Sequence, residues 1–298
     1  MTERATVLLT DPSSTLTATF VPAAGMIGTS LSDGREEFLG QRRGLQAYLS
    51  NAKTMGIPLL YPWANRLSAH HYDTDGAVVT LTPGTGGVRT DEHGAPIHGV
   101  LAANPGWLVT DRSANTLTAA LDFSRPGLLA SFPFPHVLTQ HITLAERTLS
   151  IQTTVRPTSA SAVPLCFGHH PYLTIPGVPR QDWSITTPPM RNLRVDDRGL
   201  PTGEQRPWSG GTVTLGDTGF DDGFDQVPAG AQFTVAGGGR RLTVTFDQGY
   251  PAAQIFAPAG EELICFEPMA APTDALRRGG YRVAAGGPAV SRFSITVD

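Results

Sequence analysis

Lysine is almost absent from these 298 residues: Lys53 stands alone, and every other basic residue is an arginine. Charge as a whole is sparse, 16% of the chain, where an ordinary globular protein carries roughly a quarter. The net charge is −4. A nucleic-acid partner requires clustered positive charge, and scattered arginines under a negative balance do not supply it. The arginine preference reads as codon bias rather than as a set of bidentate contacts. Cysteine is limited to Cys166 and Cys265, too few for a disulfide framework or a zinc site. Both lie in apolar runs and read as small buried hydrophobes in a reducing cytosol. No apolar run reaches the length of a membrane span. Met1-Thr2-Glu3-Arg4-Ala5-Thr6 lacks the basic-then-apolar pattern of a signal peptide. The expectation is a cytoplasmic protein with neither a membrane nor a nucleic-acid partner.

Glycine and proline, by contrast, are plentiful, 33 and 25 residues spread over the whole length. The stretches between them are short, and many alternate with period two. Leu117, Ala119, Leu121 and Phe123 share one face, as do Leu149, Ile151 and Val155, then Leu242, Val244 and Phe246, then Phe293, Ile295 and Val297. This is the pattern of half-buried strands, and the abundant threonine suits pleated surfaces. The helical candidates are short, around Arg35–Leu39 and Thr273–Arg278. The βα alternation of a Rossmann or barrel fold is missing. With 298 residues, 40% of them hydrophobic, a large core is available. The prediction is an all-β protein of two packed antiparallel sheets, a large β-sandwich. Ala236-Gly237-Gly238-Gly239-Arg240 reads as a hairpin turn. Pro188-Pro189 and Pro201 bound a region expected to be irregular.

Certain residues carry chemistry. Glu267 ends the apolar run Glu262–Phe266, and His170 follows another in Gly168-His169-His170-Pro171-Tyr172. Strand ends beside loops are where catalytic groups usually sit. A carboxylate and an imidazole brought together by the fold form an acid/base couple. A base in a partly apolar pocket has a raised pKa suited to proton abstraction near neutrality. If the strand pattern continues, His169 and His170 point to opposite faces, and only one of them reaches a shared cleft. Neither His169-His170 nor His70-His71 has further ligands at metal-binding spacing, so no metal is expected. Arg66, after Asn65 in a Pro-Trp-Ala-Asn-Arg turn, offers a planar donor fork for hydroxyls, carboxylates or phosphates. Trp63 reads as core or cleft wall. His98-Gly99 places a polar group in a turn where glycine allows close backbone approach. Asp221-Asp222 is a hydroxyl-binding or turn-capping pair.

Taken in order, these segments resemble the aldose 1-epimerase (mutarotase) family. Leu60-Tyr61-Pro62-Trp63-Ala64-Asn65-Arg66-Leu67 is similar to its Asn-Arg segment, and Pro96-Ile97-His98-Gly99 to its His-Gly turn. Gly168-His169-His170-Pro171-Tyr172 is similar to its His-Pro/Ser-Tyr-Phe motif, with Leu173 where phenylalanine is usual. Phe220-Asp221-Asp222-Gly223-Phe224 resembles its acidic segment, and Cys265-Phe266-Glu267-Pro268 its glutamate-bearing strand end. The resemblance implies one galactose mutarotase-like supersandwich domain over residues 1–298, with an open cleft and no cofactor, as a monomer or homodimer. It implies a small-molecule sugar as partner and interconversion of α and β anomers of a free aldose. On it, Glu267 is the general base, His170 the general acid and His98 a second histidine near the ring oxygen. Arg66 and Asp221 hold sugar hydroxyls, and Asn65 supports the arginine turn. The acidic segment can also be matched one register over, leaving Asp222 and Asp225 open beside Asp221.

Three other readings are weighed. A hexose-6-phosphate mutarotase would need added positive charge in the cleft, from Arg42, Arg43 or Arg89. A non-catalytic carbohydrate-binding protein on the same scaffold would be expected to lack Glu267 or His170. A glycoside hydrolase or lyase pairing Glu267 with Asp221 or Asp222 would leave the His-Pro-Tyr segment without a purpose.

Overall fold

Alternating strands separated by glycine and proline turns pair in antiparallel register into two large sheets. The computed structural model describes residues 5–51, 53–74 and 76–298. Nine strands form the first sheet, in the order Gly211–Thr214, Ser184–Thr187, Ala231–Gly237, Arg240–Gln248, Ala289–Val297, Thr148–Pro157, His136–Ala145, Thr116–Asp122 and Leu108–Arg112. The second sheet has eight. It runs Pro201–Trp208, Met190–Val195, Phe220–Asp225, Ala252–Ala257 and Ile264–Met269, then Gly168–His169 and Leu59–Leu60, with Tyr172–Leu173 also paired to Ile264–Met269. A smaller sheet of Val7–Thr10, Leu16–Val21, Ile27–Asp33 and Glu36–Glu37 covers the N-terminal part.

The alternating residues face one another across the sandwich. Leu117, Leu121, Ile151, Val244, Phe293 and Ile295 from the first sheet share a single core with Phe224, Ile255, Ile264 and Phe266 from the second. Phe233 meets Phe266 across the gap with ring centroids 5.5 Å apart. Fully burying a side chain of this size stabilises by about 1.5–3 kcal/mol, and the matched faces fix the register, because a one-residue slip would expose the whole row. Gly238 and Gly239 close the hairpin between Ala231–Gly237 and Arg240–Gln248, both with positive φ (57° and 79°), the conformation that the favoured two-residue hairpin turn requires.

Local structure departs from the sequence expectation in three places. Arg35–Leu39 is not helical: Glu36–Glu37 pairs with Ile27–Asp33, and the Glu37 carboxylate accepts from the backbone N–H groups of Leu31 and Leu39. A helix does form at Gly44–Asn51, but only Tyr48 in it is buried, so no stripe marks it in the sequence. The region between Pro188 and Pro201 is regular, with Met190–Val195 paired to Pro201–Trp208 on one side and to Phe220–Asp225 on the other. The second short candidate contains a single helical turn, Ala275–Arg278. Cys166 and Cys265 are both buried and free, and Trp63 is a core residue. No helix among the described residues is long and apolar enough to cross a membrane.

Candidate active site

Ile264–Met269 lies deep within its sheet and is buried at every position. Period two still holds: Ile264 and Phe266 enter the sandwich core. Cys265 and Met269, on the other face, pack in small separate clusters, the first with Tyr172 and Leu263, the second with Leu60, Ala64 and Ala252. Glu267 stands between Cys265 and Met269 on that outer face, 2% exposed. It lines a cavity of about 770 Å³.

The two histidines divide as alternation requires. His169 turns into the sandwich, 3.0 Å from the Gln140 side-chain nitrogen and 3.3 Å from the Tyr250 hydroxyl, with Phe293 at 4.8 Å between centroids. His170 turns into the cavity, where its Nε2 lies 3.2 Å from Glu267 Oε1. Burial pushes His170 below its ordinary value, and the Arg42 guanidinium pushes it further down. Burial pushes Glu267 well above its ordinary value, with the Asp221 carboxylate adding to this and Arg66 opposing it. Both shifts favour the uncharged forms, so the pair's proton rests on Glu267 rather than on His170, and it titrates as a property of the pair. The tautomer with the proton on nitrogen, carboxylate beside imidazolium, is a ready base beside a ready acid.

The remaining expected residues arrive from separate segments. His98 lies with its ring 5.8 Å from that of His170, at 79°. Burial keeps it well below its ordinary value, helped by His170, Arg89 and Arg66, so it is neutral. His98 and Asn65 both adopt positive φ, 59° and 54°, and the His98 N–H donates to the Asn65 carbonyl at 2.9 Å. Backbone held in this sparsely populated region is typical of functional sites. Arg66 Nε donates to Asp91 at 2.6 Å, and its Nη1 to the Asn65 side-chain oxygen at 3.2 Å. Asp221 lines the cavity and accepts from Gln254 Nε2 at 2.7 Å. The residue is exposed. Its carboxyl is nevertheless raised, first by the surrounding protein and then by Asp222 and Glu92, against the Gln254 hydrogen bond and Arg66.

Of the three aspartates left open, only Asp221 lines the cavity. Asp222 accepts from the Asn192 side chain, and Asp225 is held bidentately by Arg191. Glu267, His170, His98, Arg66, Asp221 and Asn65 thus share one concavity. Gln254 joins them and was not singled out from sequence. It pairs directly with Glu267 across the strands and is buried, with Oε1 making no hydrogen bond. A single glutamine inside the apolar run Ala252–Ala257 was the available signal. Asp91, which orients Arg66, was also missed; it lies in a loop with no pattern to mark it. Among the described residues no three His, Cys, Asp or Glu side chains are grouped to hold a metal.

The family model described as aldose 1-epimerase matches residues 9–287. Similar solved structures include the Slr1438 protein from Synechocystis sp. PCC 6803, 21% identical with a TM-score of 0.80, covering 99% of this chain and 96% of that one. A galactose mutarotase-like protein from Clostridium acetobutylicum is 16% identical with a TM-score of 0.82, over 96% of this chain and 93% of the other. A galactose 1-epimerase from Lactobacillus acidophilus NCFM is 14% identical with a TM-score of 0.76, over 99% of both chains. At these identities the likeness is one of fold. No curated protein matches the chain significantly.

Proposed function

The chain belongs to the aldose 1-epimerase family, and on that premise we propose that it interconverts the α and β anomers of a free aldose. One observation carries the reading: Glu267 Oε1 and His170 Nε2 stand 3.2 Å apart, both buried, on the wall of a cavity of about 770 Å³. The reaction needs only protons moved in concert, and this pair supplies a base and an acid side by side. The Glu267 carboxylate takes the proton of the anomeric hydroxyl. As the C1–O1 double bond forms, the C1–O5 bond breaks, and O5 receives the proton from His170 Nε2. The open-chain aldehyde turns about C1–C2 and presents its other face. O5 then attacks C1, returns its proton to His170, and O1 recovers a proton from Glu267. Both groups end as they began.

The other cavity residues suit the polar substrate. Arg66 donates hydrogen bonds to ring hydroxyls, and Asp221 accepts hydrogen bonds from them. The free Gln254 Oε1 is a further acceptor beside Asp221. A buried acceptor left unpaired costs about 1–3 kcal/mol, so a hydroxyl that fills it is selected over a sugar lacking one. Neutral His98 stands beside His170 and would serve as a second hydrogen-bonding group for the ring oxygen. Polarimetry on freshly dissolved α-glucose and α-galactose tests the reading. The protein should speed the decay of rotation, and Glu267→Gln should abolish the effect with the fold intact. Near-normal turnover in that variant would remove Glu267 as the base.

A second reading keeps the chemistry and changes the substrate. Arg42, Arg43, Lys53 and Arg89 all line the same cavity, the positive charge that a phosphorylated hexose would need. Against this, Arg42 is already held bidentately by Glu261. Anomer exchange of glucose 6-phosphate, followed by NMR saturation transfer, separates the two. Acceleration there, with none on free sugars, would favour the phosphorylated substrate.

A further inference from the structure

The proposed acid has to be protonated while buried, and burial works against that. His170 Nδ1 makes no hydrogen bond to another residue, and on that side only its own backbone favours the protonated form. The Tyr172 ring lies against it instead. The two rings are parallel within 6°, with centroids 4.3 Å apart. The Tyr172 hydroxyl is 3.2 Å from His170 Nε2. In a parallel stack that oxygen sits over the imidazole plane, whereas the N–H and the lone pair lie in it. The stack thus leaves the in-plane direction at Nε2 clear of the Tyr172 ring, with Glu267 Oε1 3.2 Å away. Tyr172 is itself anchored, its hydroxyl 2.6 Å from Thr54 Oγ1.

We propose that Tyr172 is the positioning residue of the site: its ring sets the plane of the His170 imidazole, and the negative π-face stabilises the imidazolium form that donates the proton. An aromatic face attracts a cation by its quadrupole, more strongly when water is excluded, and both rings are buried. The other charged or titratable groups around His170 are Glu267 in contact, His98 at 5.8 Å between rings, and Arg42, whose guanidinium carbon is also 5.6 Å from the Tyr172 ring centre. Glu267 favours the imidazolium. Arg42 and any charge on His98 oppose it. Arg66 and Asp221 act through Glu267. All of these stay in place when only the ring at 172 is altered.

The inference rests on His170 as proton donor, so the test reads the imidazole directly as well as the rate. Tyr172→Phe keeps the ring and its face, and phenylalanines carrying increasing numbers of fluorines at the same position keep the shape of the ring while draining its face of electron density. The upper limb of the pH–rate profile, where the pair loses its shared proton, should move to lower pH step by step. The expected total is about one pH unit across the series. The His170 imidazole resonance, followed by NMR titration, should move with it. Tyr172→Phe, which keeps the face and loses only the hydroxyl, should stay near the parent protein. A flat series by NMR would overturn the role of the face, whatever the rate does. A graded NMR response in a protein inactive on every sugar would leave the stacking effect standing and overturn the epimerase reading instead.

Discussion

At the residue scale, two adjacent histidines with the same side chain have opposite surroundings. His170 touches Glu267 in the cavity, while His169 bonds Gln140 and Tyr250 in the core. General acid catalysis contributes roughly 10²–10⁴-fold. His170→Asn should therefore lose about that factor in kcat with little loss of stability. His169→Asn should instead lose about 1–3 kcal/mol of stability, from disturbed buried hydrogen bonds, and keep most of its rate. Anomer-exchange rates and urea midpoints on the two variants check this, and the reverse order of rate losses would assign the wrong histidine to the cavity. The contrast was legible from alternation alone. The identity of the cavity-lining aspartate was not, because Asp221, Asp222 and Asp225 differ only in what neighbouring strands bring: Gln254, Asn192 and Arg191 respectively.

At the scale of elements, the site is held by one strand and two strained turns. Ile264–Met269 presents Glu267 because its even positions enter the core. The turn bearing His98 depends on Gly99, with φ +67°, against the Tyr61 backbone. A Cβ there would fall 2.0 Å from the Tyr61 carbonyl oxygen, and backbone cannot swing aside as a flexible side chain can. Gly99→Ala should cost at least about 2 kcal/mol and displace His98. Thermal unfolding and the loss of anomer exchange would report both effects. An alanine variant with parent stability and rate would mean that the turn is not under this constraint. The His-Gly pair was visible in the sequence. The reason for it was not, since the Tyr61 carbonyl arrives from a distant segment. Sequence also failed at Arg35–Leu39, where the side-chain bonds of Glu37 favour strand pairing over helix.

At the scale of the whole molecule, the core encloses titratable groups that must stay neutral. Burial lowers His169 to about 3, against an ordinary value of about 6.5. A histidine depressed in the folded state is neutral there while the unfolded chain takes up a proton. Its penalty is absent above about pH 6.5 and grows as pH falls towards the folded value. At pH 5 this amounts to about 2 kcal/mol for His169. Glu267, raised by burial, has the opposite sign and partly offsets the loss. Comparison with a variant isolates the histidine: the stability difference between pH 7 and pH 5 should be smaller in His169→Asn than in the parent protein. Denaturant midpoints at the two pH values measure it. Equal slopes would mean that His169 is not held neutral.

What the sequence by itself determined is what local chemistry dictates. Period-two alternation made the strands and their inner faces, glycine and proline punctuation made the turns, and ordered motifs pointed to six residues of one cavity. These signals survive in a one-dimensional string because each is carried by near neighbours. Only the tertiary structure decided that Glu267 and His170 touch, that Gln254 stands beside Glu267, that Asp221 rather than Asp222 lines the cavity, and that Tyr172 stacks on His170. Those facts depend on register between strands far apart in the chain. The raised carboxylate and lowered imidazole depend on the protein packed around them, and no local pattern encodes that burial.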